Sequence, residues 1–403
     1  MELKTKKVRR RVLINWYYSR FDLTEYLLKF GEEIEIVFLF KQLEEAEPDY
    51  ITQNKNVSVV YWGNYRSPYK LLKAVSPDIV VFADLESFNQ IALNIAARNS
   101  GITTYVLQHG IRGEFEINEA LSTTDEKSSA IQLNSTSFWS MRFLMNALRP
   151  KNISQLPSLL RFIYERKKNE LTVALFKCQF ELRRADFYIE FSEENAGYHR
   201  KRDGVPDNRF IIVGNPLFDG FFDYLKKHSS NDSRECLLID CPFLETVFYS
   251  DHGIGVEEKR RYLEKLTAWT KVNGYQLKIK LHPLSYDSKE LFQDESIEYL
   301  RNIDLKKQIA KSQFVFFLHF SSITPVILPF KPSVYFHHSF NSHTKIFEKL
   351  GFKPVNLFGF DETKADLSEK AQTLSLNSLK TFLHSTDGKA AERIKEIFLT
   401  SHR

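Results

Sequence analysis

At about 150 residues per domain, a chain of 403 residues has room for two to three domains, which excludes a peptide, a disulfide miniprotein or a single small module. Apolar residues at 43% and charged residues at 27% describe an ordinary globular protein, and 56 basic against 51 acidic side chains is too even to imply a nucleic-acid partner by itself. The three cysteines (Cys178, Cys236, Cys241) have neither CxxC nor metal-site spacing, so reduced thiols in a cytoplasmic protein are expected, with no disulfide framework.

No apolar run approaches the roughly 18 to 20 residues that cross a bilayer. The basic start followed by Val12, Leu13 and Ile14 does not read as a signal peptide, because Asn15, Ser19, Arg20 and Asp22 interrupt the apolar stretch. Short β-branched or aromatic runs then alternate with helical patterns. Strands are predicted at Val12 to Trp16, Glu35 to Phe40, Val57 to Trp62, Ile79 to Phe82 and Thr103 to Leu107, with a helix at Ser87 to Asn99 stopped by Ser100-Gly101. This is the rhythm of βα units around a mostly parallel sheet.

From Phe138 to Arg184 the chain turns helical, aromatic and basic, which predicts a helical insertion at about 137–184. A strand at Phe187 to Phe191 closes the first half, and the polar Gly197 to Asn208 stretch is the expected linker. A second α/β half is expected from about Arg209, with strands at Phe210 to Val213, Cys236 to Asp240, Gln276 to Lys280, Phe314 to Leu318 and Ser333 to Phe336. Its expected helices are Val256 to Asn273, Asp304 to Ser312 and Ile323 to Phe330. The expected domains are therefore 1–200, 201–388 and a C-terminal helix in 389–403.

Open parallel sheets bind ligands beyond the carboxyl ends of their strands, so residues following predicted strands are the functional candidates. Gln108-His109-Gly110 places an imidazole after Thr103 to Leu107, either as a satisfied structural histidine or as a general base. Gly214-Asn215-Pro216 is either an ordinary turn or a close backbone approach to a ligand. Lys278 and Lys280 alternate to one side ahead of His282, as cations for an anionic ligand or as edge-strand lysines, the latter being the better reading of Lys278. Ser321 and Ser322 precede a helix, as N-caps or as part of an anion site.

The ordered set LQHG, VGNPLFD, KLHP and HFSS resembles bacterial glycosyltransferases of the GT-B architecture, in particular capsule sialyltransferases, polysialyltransferases and CDP-glycerol glycerophosphotransferases. The resemblance runs from about Val12 to Phe336. It implies two Rossmann-like α/β domains facing a cleft. It also implies that His282, Ser321 and Ser322, with Gly214, Asn215 and Lys280, hold the donor nucleotide and phosphate, and that His109 faces the acceptor beside Gln108 and Gly110. The acidic base motif of the sialyltransferases has only Asp84-Leu85-Glu86-Ser87 as its counterpart, so His109, Asp84 and Glu86 are the candidate catalytic groups. Relatives that use UDP-sugars hold the ribose with a glutamate after the phosphate turn, whereas Ile323 to Val334 contains no acid, which favours a cytidine nucleotide.

The implied activity is metal-independent, cofactor-free inverting transfer from a CMP- or CDP-activated donor to a glycan or lipid-linked glycan. A UDP-sugar 2-epimerase and a non-catalytic glycan-binding scaffold are the alternatives. Lys4 to Arg11 and the stretch Phe138 to Arg184, including Phe138, Trp139 and Phe143, offer basic and aromatic groups for an anionic membrane surface. The expected location is the cytoplasm, with peripheral contact to the inner face of the cytoplasmic membrane as an option, and no nucleic-acid partner is expected.

Overall fold

The computed structural model describes residues 9–16, 21–40, 53–110, 112–122, 135–229, 233–241, 255–282, 285–286, 292–301, 303–337, 342–364 and 366–401. The chain divides into two compact units, Met1–Asp219 with Lys389–Arg403, and Gly220–Gly388. Each is built on its own parallel sheet.

The first unit contains β1 (Arg10–Asn15), β2 (Ile34–Phe40), β3 (Val57–Tyr61), β4 (Ile79–Phe82), β5 (Thr103–Leu107), β6 (Phe187–Glu190) and β7 (Phe210–Ile212), in the spatial order β3-β2-β1-β4-β5-β6-β7. Every pairing is parallel, and β1 is central, with Val12 opposite both Ile36 and Ile79. The two-residue period of a strand distributes its side chains to two cores. Leu13, Val80 and Phe82 join the helix Phe88–Asn99 on one face. Val12, Ile14, Ile79 and Val81 join Ile394 and Phe398 of the C-terminal helix Ala390–Thr400 on the other. Burial on both faces explains why these strands read as near-continuous apolar runs.

The expected second half does not begin at Arg209. β7 pairs with β6 in the first sheet, and the expected linker Gly197 to Asn208 is largely the helix Glu193–Asp203, so the chain leaves the first unit only after Asp219. That helix has Ser192 as N-cap, accepting from the Asn195 N–H, glutamates in its first turn, bases in its last and Gly204 in the left-handed conformation at its end.

Between β5 and β6 the chain forms the helices Glu114–Ser122, Ser135–Met145, Leu156–Lys168 and Leu171–Lys177. Here the expectation that Trp139 and Phe143 face a membrane is corrected. Phe143 is buried, and Trp139 stacks on it at 4.9 Å in the core shared with Trp62. In the basic N-terminal segment, Lys4, Lys6 and Lys7 lie outside the described residues. Arg10 and Arg11 are strand residues committed to Asp78 and Glu35, with Arg11 3.1 Å from Glu35.

The second unit contains β8 (Glu235–Ile239), β9 (Gln276–Lys280), β10 (Ile297–Leu300), β11 (Phe314–Phe317), β12 (Ser333–His337) and β13 (Val355–Asn356), in the order β10-β9-β8-β11-β12-β13. Trp269 of the helix Val256–Val272 is fully buried against Tyr275, Phe314 and Phe316. None of the described helices is long and apolar enough to cross a membrane.

The C-terminal helix supplies core to the first unit, since Phe398 is 1% exposed and meets Phe30 and Tyr105 edge-on. Phe398→Ala should therefore cost about 3–5 kcal/mol in urea unfolding followed by a first-unit probe such as Trp16 fluorescence. A loss below about 1 kcal/mol would show that this contact does not carry core energy.

Candidate functional site

Because all strands of each sheet run the same way, the residues following them gather at one sheet edge per unit. In the first unit, β4 delivers Asp84 and Glu86, β5 delivers Gln108 and His109, and β6 ends in Glu190. The helix Glu193–Asp203 brings Tyr198, His199, Arg202 and Asp203 to these ends. Ser87 and Gln90 form a capping box that fixes the β4 loop, and the Glu86 N–H donates to Gln90 Oε1 at 3.1 Å.

Arg202 is the centre of this cluster and has no side-chain exposure. Its Nη2 donates to Asp84, and its Nη1 donates to Asp84 Oδ2 at 3.0 Å, Glu86 Oε1 at 2.8 Å and the Tyr198 hydroxyl at 2.7 Å. Its Nε donates to Asp203 at 2.9 Å. Arg112 adds a bond to Asp84 Oδ2 at 3.0 Å, and Arg183 a bond to Asp203 at 2.6 Å. His199 lies between Asp203, 2.7 Å from Nδ1, and Glu190, 3.6 Å from Nε2. Gln108 reaches Glu190 Oε2 at 3.5 Å and accepts the His109 N–H at 2.9 Å. The His109 ring meets Trp16 edge-on with centroids 5.7 Å apart.

These surroundings separate the carboxylates. Burial alone would raise the Asp84 pKa, but Arg202 and Arg112 reverse that and hold it well below the ordinary range. Asp203 is held down in the same way, by Arg202 and Arg183. Glu86, with its side chain 27% exposed, is pushed up to about 7, first by burial and then by the Asp84 charge. Burial lifts the fully enclosed Glu190 to about 7 as well. Burial opposes the His199 charge, yet Glu190 and Asp203 outweigh it and raise its pKa. Asp84 is therefore a permanently ionised counter-ion, while Glu86 can gain and lose a proton near neutrality. Asp84, His199 and Asp203 offer ligand atoms within 4.8 Å of one another. Their carboxylates are already neutralised by guanidinium groups that would repel a divalent cation, so the trio does not fit a metal centre.

Gly214 and Asn215 also belong to the first unit, which corrects their expected place in the second half. Gly214 has φ +87°, and Asn215 Oδ1 accepts the Leu217 N–H at 3.1 Å. The same turn anchors the C-terminal helix. Asp219 accepts the Ala390 and Ala391 N–H groups at 3.0 and 2.8 Å, and Arg393 Nε donates to Val213 O at 2.7 Å.

In the second unit, Asp240 follows β8, His282 follows β9 and His319-Phe320-Ser321-Ser322 follows β11. Asp240 Oδ1 pairs with Lys259 at 3.3 Å, while its Oδ2 accepts the His282 N–H at 3.4 Å. Ser321 and Thr324 cap each other: the Ser321 N–H donates to Thr324 Oγ1 and the Thr324 N–H to Ser321 O, both at 3.0 Å. The helix behind them is only Thr324–Ile327, shorter than the expected Ile323 to Phe330, because Pro329 lacks the N–H that would continue it. So short a helix offers hydroxyl and N–H groups at its start but little macrodipole. Lys280 donates to Leu281 O and lies 5.6 Å over the Tyr286 ring. Lys278 is not on an edge: β9 lies between β8 and β10, and the ammonium pairs with Glu235 and Glu298 at 3.1 Å each.

The two parallel-sheet units agree with the structural comparisons. The chain has a GT-B fold. The wall teichoic acid polymerase TagF, in a histidine-to-asparagine variant soaked with CDPG, superposes with TM-score 0.52 at 14% identity, over 97% of this chain and 88% of that one. The same variant without the soak gives 0.50 at 13%, with the same coverage. A Listeria monocytogenes protein assigned as a UDP-N-acetylglucosamine 2-epimerase gives 0.49 at 13%, over 97% and 96%. No family model and no curated protein sequence matches the chain.

Sequence reasoning singled out Asp84 and Glu86 but missed Arg112, Glu190, Tyr198, His199, Arg202 and Asp203. The capping signals at Ser192 and Gly204 would have revealed the helix that carries four of them.

Arg202→Leu should destabilise the protein by about 3 kcal/mol in denaturant unfolding, because it removes the shared cation from buried Asp84, Glu86 and Asp203 and leaves Asp84 with Arg112 and Asp203 with Arg183 and His199. Added Asp84→Asn should recover part of that loss, and additive losses would contradict the pairing. The buried network also sets a pH dependence. A carboxyl with a raised folded-state pKa loses stability as pH rises from its ordinary 4.5 to about 7, and His199, also raised, loses its contribution as pH climbs through its folded value. Glu190→Gln should therefore flatten the fall in melting temperature between pH 5 and pH 8, and an unaltered slope would place the titration elsewhere.

Proposed function

We propose that this protein is an inverting glycosyltransferase of bacterial surface-polysaccharide synthesis that uses a CMP- or CDP-activated donor, such as CMP-sialic acid, CMP-Kdo or CDP-glycerol, with a glycan or lipid-linked glycan as acceptor. The reading is supported by the placement of His282 after β9 and of Ser321 and Ser322 after β11, the two strands that flank β8 in the second sheet, in a chain of GT-B fold. The absence of any acid from Ile323 to Val334 supports a cytidine nucleotide, as does the likeness to TagF, whose crystals took a CDPG soak.

In this mechanism a base removes the acceptor hydroxyl proton, the hydroxyl oxygen bonds to the anomeric carbon of a CMP-sugar or to the glycerol-bearing phosphorus of CDP-glycerol, and the bond from that atom to the nucleotide phosphate oxygen breaks with its electron pair departing on CMP. His282 and the Ser321-Ser322 hydroxyls stabilise the negative charge that grows on that phosphate, so they act chiefly in the transition state. His109 and Glu86 are the two groups suited to take the proton: His109 as an imidazole at a strand end, and Glu86 because its surroundings keep its carboxyl near neutral basicity. Asp84 is excluded from that role by its guanidinium partners and serves instead to hold Arg202 and Arg112.

Loss of one transition-state donor costs about 100-fold or more in kcat. His282→Ala is expected to show that loss with nucleotide binding retained, and unchanged turnover would remove His282 from the reaction. His109→Ala and Glu86→Gln separate the two bases, since the true one should abolish transfer and eliminate the acid limb of the rate profile. Retained transfer in both variants would refute both assignments. In thermal-shift screening of CMP, CDP, UDP and UMP, a ligand at 100 times its Kd adds about 2.7 kcal/mol. Stabilisation by CMP or CDP is expected; stabilisation by UDP would support the epimerase reading, and no response would support a scaffold.

A further inference from the structure

Seven large hydrophobic side chains stand exposed among the described residues, and four of them, Met145, Ile153, Leu160 and Tyr164, fall in one short stretch of the first unit, with exposures of 49%, 64%, 57% and 59%. The helix Leu156–Lys168 carries two of them. Leu159 and Phe162 face the core, while Pro157, Leu160, Arg161, Tyr164, Lys167 and Lys168 recur at helical spacing on the solvent side. That outer stripe carries apolar and basic residues and no acid.

The surroundings have the same character. Arg142, Arg149 and Lys151, which precede the helix in the chain, are exposed, and Glu165, the only acid between Arg142 and Lys168, is tucked against Asn169 at 2.6 Å. Among the described residues, Arg142, Lys151, Arg161, Lys167 and Lys168 form no ion pair. A solvated surface helix would expose polar residues of both signs. Here apolar side chains are interleaved with unneutralised cations, which suits a surface that is anionic at its headgroups and apolar just beneath. A soluble polyanion would use the cations and have no use for Leu160 and Tyr164.

We propose that the outer face of the helix Leu156–Lys168, extended by Ile153 and Met145, docks this protein onto an anionic lipid bilayer. Leu160, Tyr164 and Ile153 enter the interface while Lys151, Arg161, Lys167 and Lys168 meet the headgroups. The proposal does not depend on the transfer reaction. It narrows the expected stretch Phe138 to Arg184 to this helix and its approach, since Phe143 lies in the core with Trp139 packed against it.

The test is co-sedimentation of the full chain with vesicles of phosphatidylcholine alone and of phosphatidylcholine mixed with phosphatidylglycerol. Partition onto the mixed vesicles only is expected, with release by a few tenths molar salt. Each cation near an anionic surface contributes about fivefold, so Lys167→Glu with Lys168→Glu should lower partition by about 25-fold or more. Leu160→Asn with Tyr164→Asn should lower it too, leaving retention on heparin unchanged. Melting temperatures equal to that of the parent protein qualify these variants; if a pair unfolds, Lys168→Gln, expected at about fivefold, and Leu160→Asn alone replace them. Equal partition on both vesicle types, no effect of the charge pair, or full binding by the Leu160 and Tyr164 pair would overturn the proposal, the last result pointing to a soluble polyanion.

Discussion

The first unit is organised around one buried guanidinium. Arg202 contacts Asp84, Glu86, Asp203 and Tyr198, and through Asp203 it joins His199 and Glu190. Taking so many charges out of water costs several kcal/mol per ion, and the cost is offset only where geometry and partner count are both favourable. Arg202 meets that condition because its planar, forked donors serve three carboxylates at once, which a lysine could not do. Through these bonds the loop after β4 and the helix after β6 are held in a fixed mutual position. Burial pushes Glu86 and Glu190 up, with the Asp84 charge adding to it, while Glu190 and Asp203 together outweigh burial and raise His199.

Ile79–Phe82 was legible because a strand buried on both faces must be apolar along its length, and Gln276–Lys280 because its apolar residues alternate with polar ones. The helix Glu193–Asp203 was illegible for the opposite reason. Its inner face is Tyr198, His199, Arg202 and Asp203, so a search for apolar periodicity finds a polar stretch with glycines and reads a linker. A short, charged strand at Ile297–Leu300 escaped notice similarly, since Glu298 serves there as the partner of Lys278.

The candidate site was legible in unequal measure. Residue type and position after a strand sufficed to find His109, His282, Ser321 and Ser322, because a parallel sheet brings all such positions to one edge. Partners were not legible, since they depend on which strands are neighbours. Lys278 looked like an edge lysine until β10 supplied an outer neighbour, and Gly214 looked like part of the second sheet until β7 paired with β6. Asp219, conspicuous in VGNPLFD, proved to be the cap of a helix that begins 171 residues later.

That long-range cap has a consequence for the order in which the chain acquires its structure. The second unit is a continuous segment, Gly220–Gly388, whereas the first is assembled from both sides of it. During synthesis the strands β1 to β7 emerge first, yet the face carrying Val12, Ile14 and Val81 lacks Ile394 and Phe398 until the final helix has left the ribosome. The later segment therefore has all of its own residues before the earlier one is complete. Until then the nascent first sheet presents an uncovered apolar face, the kind of surface on which chaperones act and through which incomplete chains aggregate.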